Sequence, residues 1–363
     1  MPYVNAYITE DDKKNLEGIG KPSMPPRRNS TAGRSRLEDV ARHAGVSTMT
    51  VARVLREPHK VAPETRDRVS ASLDATGYTP DLVARALVSK RSGVVGAIVP
   101  VLSNSLIADV MQGMSEGLAR DQRQLMVGAS GFSAANEETL VRSFLSRRVD
   151  ALYLTGTSHT PATIQLLRAA GIPVVEGGNV TDDPIDMVAG VSNIDAAASV
   201  VTHLLKRYGP DIAYAGASPV DNDRVRDRHL GFRRAMRDAG VRVPPEREIR
   251  SEMSMASGRA VIDKILALPK RPRALFCSSD VIAAGALLEC QRRGVDVPGT
   301  LAIAGYDDLD FARELVPALT SVRIPRYEIG MRAAELIHQA LIGKRPKRAV
   351  QVLDFKLVIR DSA

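Results

Sequence analysis

The chain has 363 residues, 25% of them charged, with 50 Lys and Arg against 42 Asp and Glu and a formal net charge of +8. That length suits two or three domains with a large core, and the basic balance favours a polyanionic partner without naming one. Cys277 and Cys290, both in apolar surroundings, give neither a disulfide framework nor metal-ligand spacing; with no run of about eighteen apolar residues and no export leader, a soluble cytoplasmic protein without a membrane partner is expected.

Residues 1–34 mix Pro22, Pro25 and Pro26 with Ser, Asn, Gly and charges, show no sustained period and read as a disordered tail. Arg27, Arg28 and Arg34 make this either a solvated tail or a basic arm that meets phosphates. Residues 35–79 read as a helical headpiece. In LEDVARHAGVSTMTVARVL, 37–55, Leu37, Val40 and Ala41 share one helical face, Gly45 allows a sharp bend, and Ser47 caps a second helix that buries Val51, Val54 and Leu55. Ser47, Thr48, Met49, Thr50 and Arg53 then stand at or near the outer N-terminal end. Small polar groups and one Arg there fit the major groove of double-stranded DNA, although two short helices joined at a glycine also occur as plain packing. A third helix from Pro63 to Gly77 closes the small core.

Residues 80–92 link this headpiece to the rest, and PDLVARAL at 80–87 is too short to be a stable helix alone. From Gly93 to the end, short apolar runs alternate with amphipathic helices. VVGAIVPV, QLMVGA, DALYLT and IPVVEGG are followed by DIAYAGA, ALFCSSD and LAIAGYDD, with helices expected at 106–120, 136–147, 161–170, 223–239, 257–268 and 281–293. The alternation predicts βαβ units and two parallel sheets, with ligand in a cleft beyond the strands' carboxyl ends. The loops there carry Asn104 and Ser105, then Thr157, Ser158 and His159, then Ser279, Asp280 and Asp307, with Arg228 on a nearby helix. Asp280 reads equally as a helix cap, and His159 as a loop residue.

The helix-turn-helix, GYTPDLVARAL at 77–87 and GYDD at 305–308 together resemble the lactose-repressor (LacI) family over about residues 36–360. The resemblance implies an all-α helix-turn-helix headpiece and an α/β periplasmic-binding-protein-like core of two parallel-sheet subdomains, 93–192 with 324–348 and 193–323 with 349–360. It further implies a homodimeric repressor that binds operator DNA and a small-molecule effector. Thr48, Met49 and Arg53 fall at base-reading positions, Arg85 near phosphates, and Leu87 at the wedge of a hinge helix that enters the minor groove. Ala52 stands where many members carry a phosphate-contacting serine. Arg228, Ser279 and Asp307 match effector-binding positions, which Asn104, Ser158 and His159 would complete. Ile324 replaces a polar residue of galactoside-binding members.

SHTPATIQLLRAAGIPVVE and FCSSDVIAAGALLECQRRGVDVP are similar to the gluconate-utilisation repressors of the family, implying a sugar acid such as gluconate or 2-ketogluconate, with Arg228 as its carboxylate clamp. A response to a neutral sugar, or use of a corepressor, stays open. So does a sugar-binding protein on the same core without gene regulation, although that role would call for an export signal and no helix-turn-helix. No enzyme activity, cofactor or metal is expected. The chain has no G-x-G-x-x-G after a strand, no phosphate loop, no nucleophile elbow, and six histidines without zinc-site spacing.

Overall fold

A computed structural model of the chain describes residues 35–79, 91–103, 105–217 and 222–363, which form two compact units, one in 35–79 and one in 91–363. The expected tail, the hinge segment with Arg85 and Leu87, and Asn104 lie outside the described residues.

The first unit holds helices α1 (Leu37–Ala44), α2 (Thr48–Arg56) and α3 (Pro63–Thr76). Glu38 and Asp39 sit in the first turn of α1, and the Arg36 backbone N–H donates to Asp39 Oδ2 at 2.9 Å. Both arrangements suit the positive end of a helix. Gly45 closes α1 at φ +64°, a left-handed conformation that costs a glycine little. Ser47 then opens α2 by accepting the Thr50 N–H at 3.1 Å. Val40 and Ala44 of α1, Val51 and Val54 of α2 and Val69 of α3 form the core, none more than 6% exposed. Full burial of one such valine contributes about 1.5–3 kcal/mol, so a unit this small depends on every one.

The second unit has two parallel sheets. In the first, the order is β11 (Val350–Val352), β5 (Met187–Gly190), β4 (Val174–Gly177), β3 (Ala151–Thr155), β1 (Val94–Val99) and β2 (Gln124–Ala129). Every pairing is parallel. Helices α4 (Ser105–Ala119), α5 (Ala134–Ser146) and α6 (Pro161–Ala170) make the crossovers, covering both faces, which is why these strands read as near-continuous apolar runs. The second sheet runs β7 (Glu248–Arg250), β6 (Ile212–Gly216), β8 (Ala274–Cys277) and β9 (Ala302–Ala304). It packs with α7 (Asn193–Tyr208), α8 (Asp223–Asp238), α9 (Met255–Leu266) and α10 (Asp280–Arg292). Cys277 and Cys290 are free and buried in this second core.

Helix α11 (Arg326–Leu341) returns the chain to the first subdomain and lies directly on α4. The backbones approach so closely that a Cβ on Gly330 would meet the Val110 carbonyl oxygen at 2.0 Å, and one on Gly113 the Tyr327 carbonyl oxygen at 2.2 Å. This pair is therefore a stiff unit.

One expected boundary moves. The resemblance places residues 349–352 in the second subdomain, yet Val350, Gln351 and Val352 pair in parallel with Val188, Ala189 and Gly190 of the first. The last crossing consequently falls at 353–355. Beyond it, β12 (Lys356–Val358) pairs antiparallel with β10 (Ser321–Arg323), a two-stranded ribbon between the subdomains whose three-residue strands give almost no periodic signal. Among the described residues, no helix is long and apolar enough to cross a membrane.

Candidate functional site

Two surfaces carry the expected residues. On the headpiece, Thr48, Met49, Ala52 and Arg53 lie exposed along one side of α2, Met49 at 71%. The exposed Arg53 side chain has no hydrogen-bond or ion-pair partner among the described residues, so its guanidinium is available to a base edge or phosphate. Ser47 and Thr50 serve the helix itself: their hydroxyls are 2.9 Å apart, and the Ser47 oxygen also holds the Thr50 N–H. Thr50 is half-buried, unlike the exposed Ser47, Thr48, Met49 and Arg53 around it.

The second surface is a polar cleft of about 200 Å³ where the carboxyl ends of β1, β2 and β3 face the start of α8. Ser130, Glu137, Ser158 and His159 line one side, Asn222, Asp223, Arg224 and Arg226 the other. Ser158 is exposed to it, as expected. His159 is not a free ligand. Its ring Nδ1 lies 2.7 Å from Glu137 Oε1 and its Nε2 3.4 Å from Glu176 Oε1, with the side chain 2% exposed. Burial works against the imidazolium, but the hydrogen bonds and charges of the two carboxylates outweigh it and raise the pKa to about 9. The ring is therefore a charged rivet between α5 and β4.

Arg228 lies deeper, its side chain 9% exposed. Nε donates to Asn193 Oδ1 at 3.0 Å, Nη1 to the Ser278 carbonyl at 2.8 Å and Nη2 to Asp307 Oδ1 at 3.1 Å, while the guanidinium carbon sits 3.8 Å from the Tyr306 ring centroid. Burial opposes its charge, and the Asp307 carboxylate more than restores it. Burial likewise raises Asp307 even with Arg228 beside it. Arg224, one turn earlier on the same helix face, borders the open cleft instead.

Ser279 and Asp280 are also committed. Ser279 caps α10 by accepting the Val281 N–H at 3.2 Å and is fully buried. Asp280 takes the Leu309 N–H at 2.7 Å and lies 2.6 Å from the Ser321 hydroxyl, joining the loop after β9 to β10. Burial, then the nearby Asp307 charge, pushes its pKa up to about 8. Several polar atoms are buried without a well-formed hydrogen bond among the described residues: Thr155 Oγ1, Ser278 Oγ and Asp307 Oδ2 at strand ends, and Tyr214 OH within β6.

Asp223 closes the cleft. Its Oδ2 accepts the Thr157 N–H at 2.8 Å, the Thr157 hydroxyl at 3.0 Å and the Asn179 amide at 3.2 Å, all from the first subdomain. Its Oδ1 accepts Arg224 Nη1 at 2.8 Å. Burial alone would raise this carboxyl, but Arg224 and the Thr157 and Asn179 donors hold it below its ordinary value. Asp223, Asn193, Tyr306 and Glu137 were not singled out from the sequence. Asn222-Asp223 at a helix start was the one local signal available.

Comparison with known proteins agrees with this geometry. Residues 36–81 match the model for bacterial regulatory proteins of the lacI family, and 201–363 match a periplasmic binding protein-like domain. The HTH-type transcriptional regulator GntR of Escherichia coli (strain K12) is 34% identical over 88% of this chain and 96% of its own length. Its namesake in Pseudomonas aeruginosa is 35% identical over 92% and 96%. A solved LacI-family transcriptional regulator from Silicibacter pomeroyi superposes with a TM-score of 0.80 at 32% identity, covering 90% of this chain and 99% of that one.

A reading helix ahead of a two-subdomain, cleft-bearing core defines a DNA-binding transcriptional regulator. The chain belongs to the LacI family of bacterial regulatory proteins.

Proposed function

We propose that this chain is a homodimeric cytoplasmic repressor whose affinity for a palindromic operator falls when a sugar acid, gluconate, 2-ketogluconate or a close relative, enters the cleft. Thr48, Met49 and Arg53 read bases in this account, with Arg85 at phosphates and Leu87 as the minor-groove wedge. The effector reading rests on one observation above all: Arg224 borders a small cleft whose other polar lining includes the hydroxyls of Ser130, Ser133 and Ser158, the carboxylates of Glu137 and Asp223, and a second guanidinium, Arg226. A guanidinium offers a carboxylate two parallel donors, and serine hydroxyls and carboxylates suit the polyol chain. Arg224 takes the carboxylate, while Arg228, one turn further along α8, stays bonded to the Ser278 carbonyl and Asp307. Arg228 is the clamp expected from the sequence; both arginines already have a carboxylate partner, Asp307 for Arg228 and Asp223 for Arg224, and the role moves to Arg224 because it borders the open cleft and Arg228 does not. The 34–35% identity to the two GntR regulators supports a repressor of this kind.

Calorimetric titration tests the reading. Gluconate should bind the parent and glucose should not, and Arg224→Ala should lose about 2–5 kcal/mol of gluconate affinity, the usual cost of removing one partner of a desolvated charge pair. Equal binding of glucose and gluconate would refute the clamp.

A further inference from the structure

The carboxylate of Asp223 sits in a complete anion receptor. Four donors converge on it: a backbone N–H and a hydroxyl from Thr157, the Asn179 amide, and the Arg224 guanidinium. Thr157 and Asn179 follow β3 and β4 of the first subdomain, whereas Asp223 and Arg224 begin α8 of the second, so this set spans the cleft. Asp223 is 4% exposed, and Asn179 is further fixed by Asp227 at 2.7 Å and by the Asn193 amide at 3.1 Å. Such a donor set exceeds what a helix-start aspartate needs, because Asn222 already caps α8 through the Val225 N–H.

We infer that Asp223 is an internal stand-in for the effector's carboxylate: it fills the cleft's anion receptor and holds the two subdomains together until a ligand carboxylate displaces it. The identity of the competitor rests on the sugar-acid reading above; the receptor itself does not. A neutral sugar cannot replace a carboxylate on these donors, so selectivity for acids follows from the competition as well as from direct contact. Displacement also frees Asp223 to leave the Thr157–Asn179 wall, a local change that biases subdomain closure and so gives the ligand differential affinity for two arrangements.

The test is chemical rescue. Asp223→Ala should melt below the parent, and sodium acetate, compared with sodium chloride at equal ionic strength, should raise its melting temperature by roughly 2–4 °C while leaving the parent unmoved. Asp223→Ala/Arg224→Ala should lose the rescue. Gluconate should bind Asp223→Ala at least tenfold tighter than the parent, since the internal competitor is gone. If Asp223→Ala does not fold, Asp223→Ser carries the same comparison. No acetate effect, or an equal one on the parent, overturns the inference. Acetate rescue with no gluconate binding to either protein upholds the receptor and overturns the sugar-acid reading instead.

Discussion

Arg228 and Asp307 lie 79 residues apart in the chain, yet Nη2 meets Oδ1 at 3.1 Å with neither side chain more than 9% exposed. A buried pair of this kind is weak evidence for net stability, but breaking it from one side is costly because the remaining charge keeps no partner. The bond links α8 to the loop after β9. Arg326 then carries that loop to the first subdomain: its Nη1 donates to the Asp307 carbonyl and its Nε to Asp109 Oδ2 of α4 at 2.8 Å.

Arg228→Ala should therefore destabilise the core by about 3–5 kcal/mol, read as a lower urea midpoint. Adding Asp307→Asn should recover part of the loss, since the orphaned charge is removed. Full additivity of the two substitutions would mean that the pair is not coupled.

Arg53→Ala should leave the melting temperature of the chain unchanged, because the side chain is exposed and without a partner among the described residues. Its operator affinity should fall by about 1–3 kcal/mol at fixed salt, with base preference relaxed at one position per half-site. A gel-shift titration showing parental affinity would remove Arg53 from the reading surface.

How much of this was legible without coordinates depends on sequence distance. The bend at Gly45, the cap at Ser47 and the alternation of strands and helices are local, and each stands where periodicity and capping rules place it. The His159 rivet joins Glu137 to Glu176, and the Asp223 receptor draws on Thr157 and Asn179, 66 and 44 residues away. No periodicity relates such positions, and a polar residue after a strand reads alike whether it is open to ligand, as Ser158 is, or spent on a cap, as Ser279 is.

The charged His159 gives a pH dependence of known sign. Its folded pKa of about 9 lies above the ordinary 6.5, so its contribution is complete below pH 6.5 and is lost as pH rises through 9. At about 1.4 kcal/mol per pKa unit, the loss is on the order of 3 kcal/mol. His159→Gln should unfold at a lower urea concentration than the parent at pH 6, and the gap should close by pH 10. A constant gap would mean the ring is neutral throughout.

Asp280 adds a slope of the same sign for a different reason. With its pKa at about 8 against an ordinary 3.8, the folded chain holds the acid while the unfolded chain holds the carboxylate, so stability falls as pH rises across that window and levels off above 8. Asp280→Asn keeps an acceptor for the Leu309 N–H and a donor for Ser321 without the charge. Its advantage over the parent should grow from pH 5 to pH 8, as read by thermal melts at both values; a variant less stable than the parent at pH 8 would show that the carboxylate itself is required.

The most direct measurement of the whole account is the affinity of the full chain for a palindromic operator fragment at fixed salt, with and without gluconate. Gluconate should weaken binding at least tenfold, glucose should leave it unchanged, and by reciprocity the operator should weaken gluconate binding by the same factor. Tight operator binding that no sugar acid alters, or that glucose releases equally well, would contradict it.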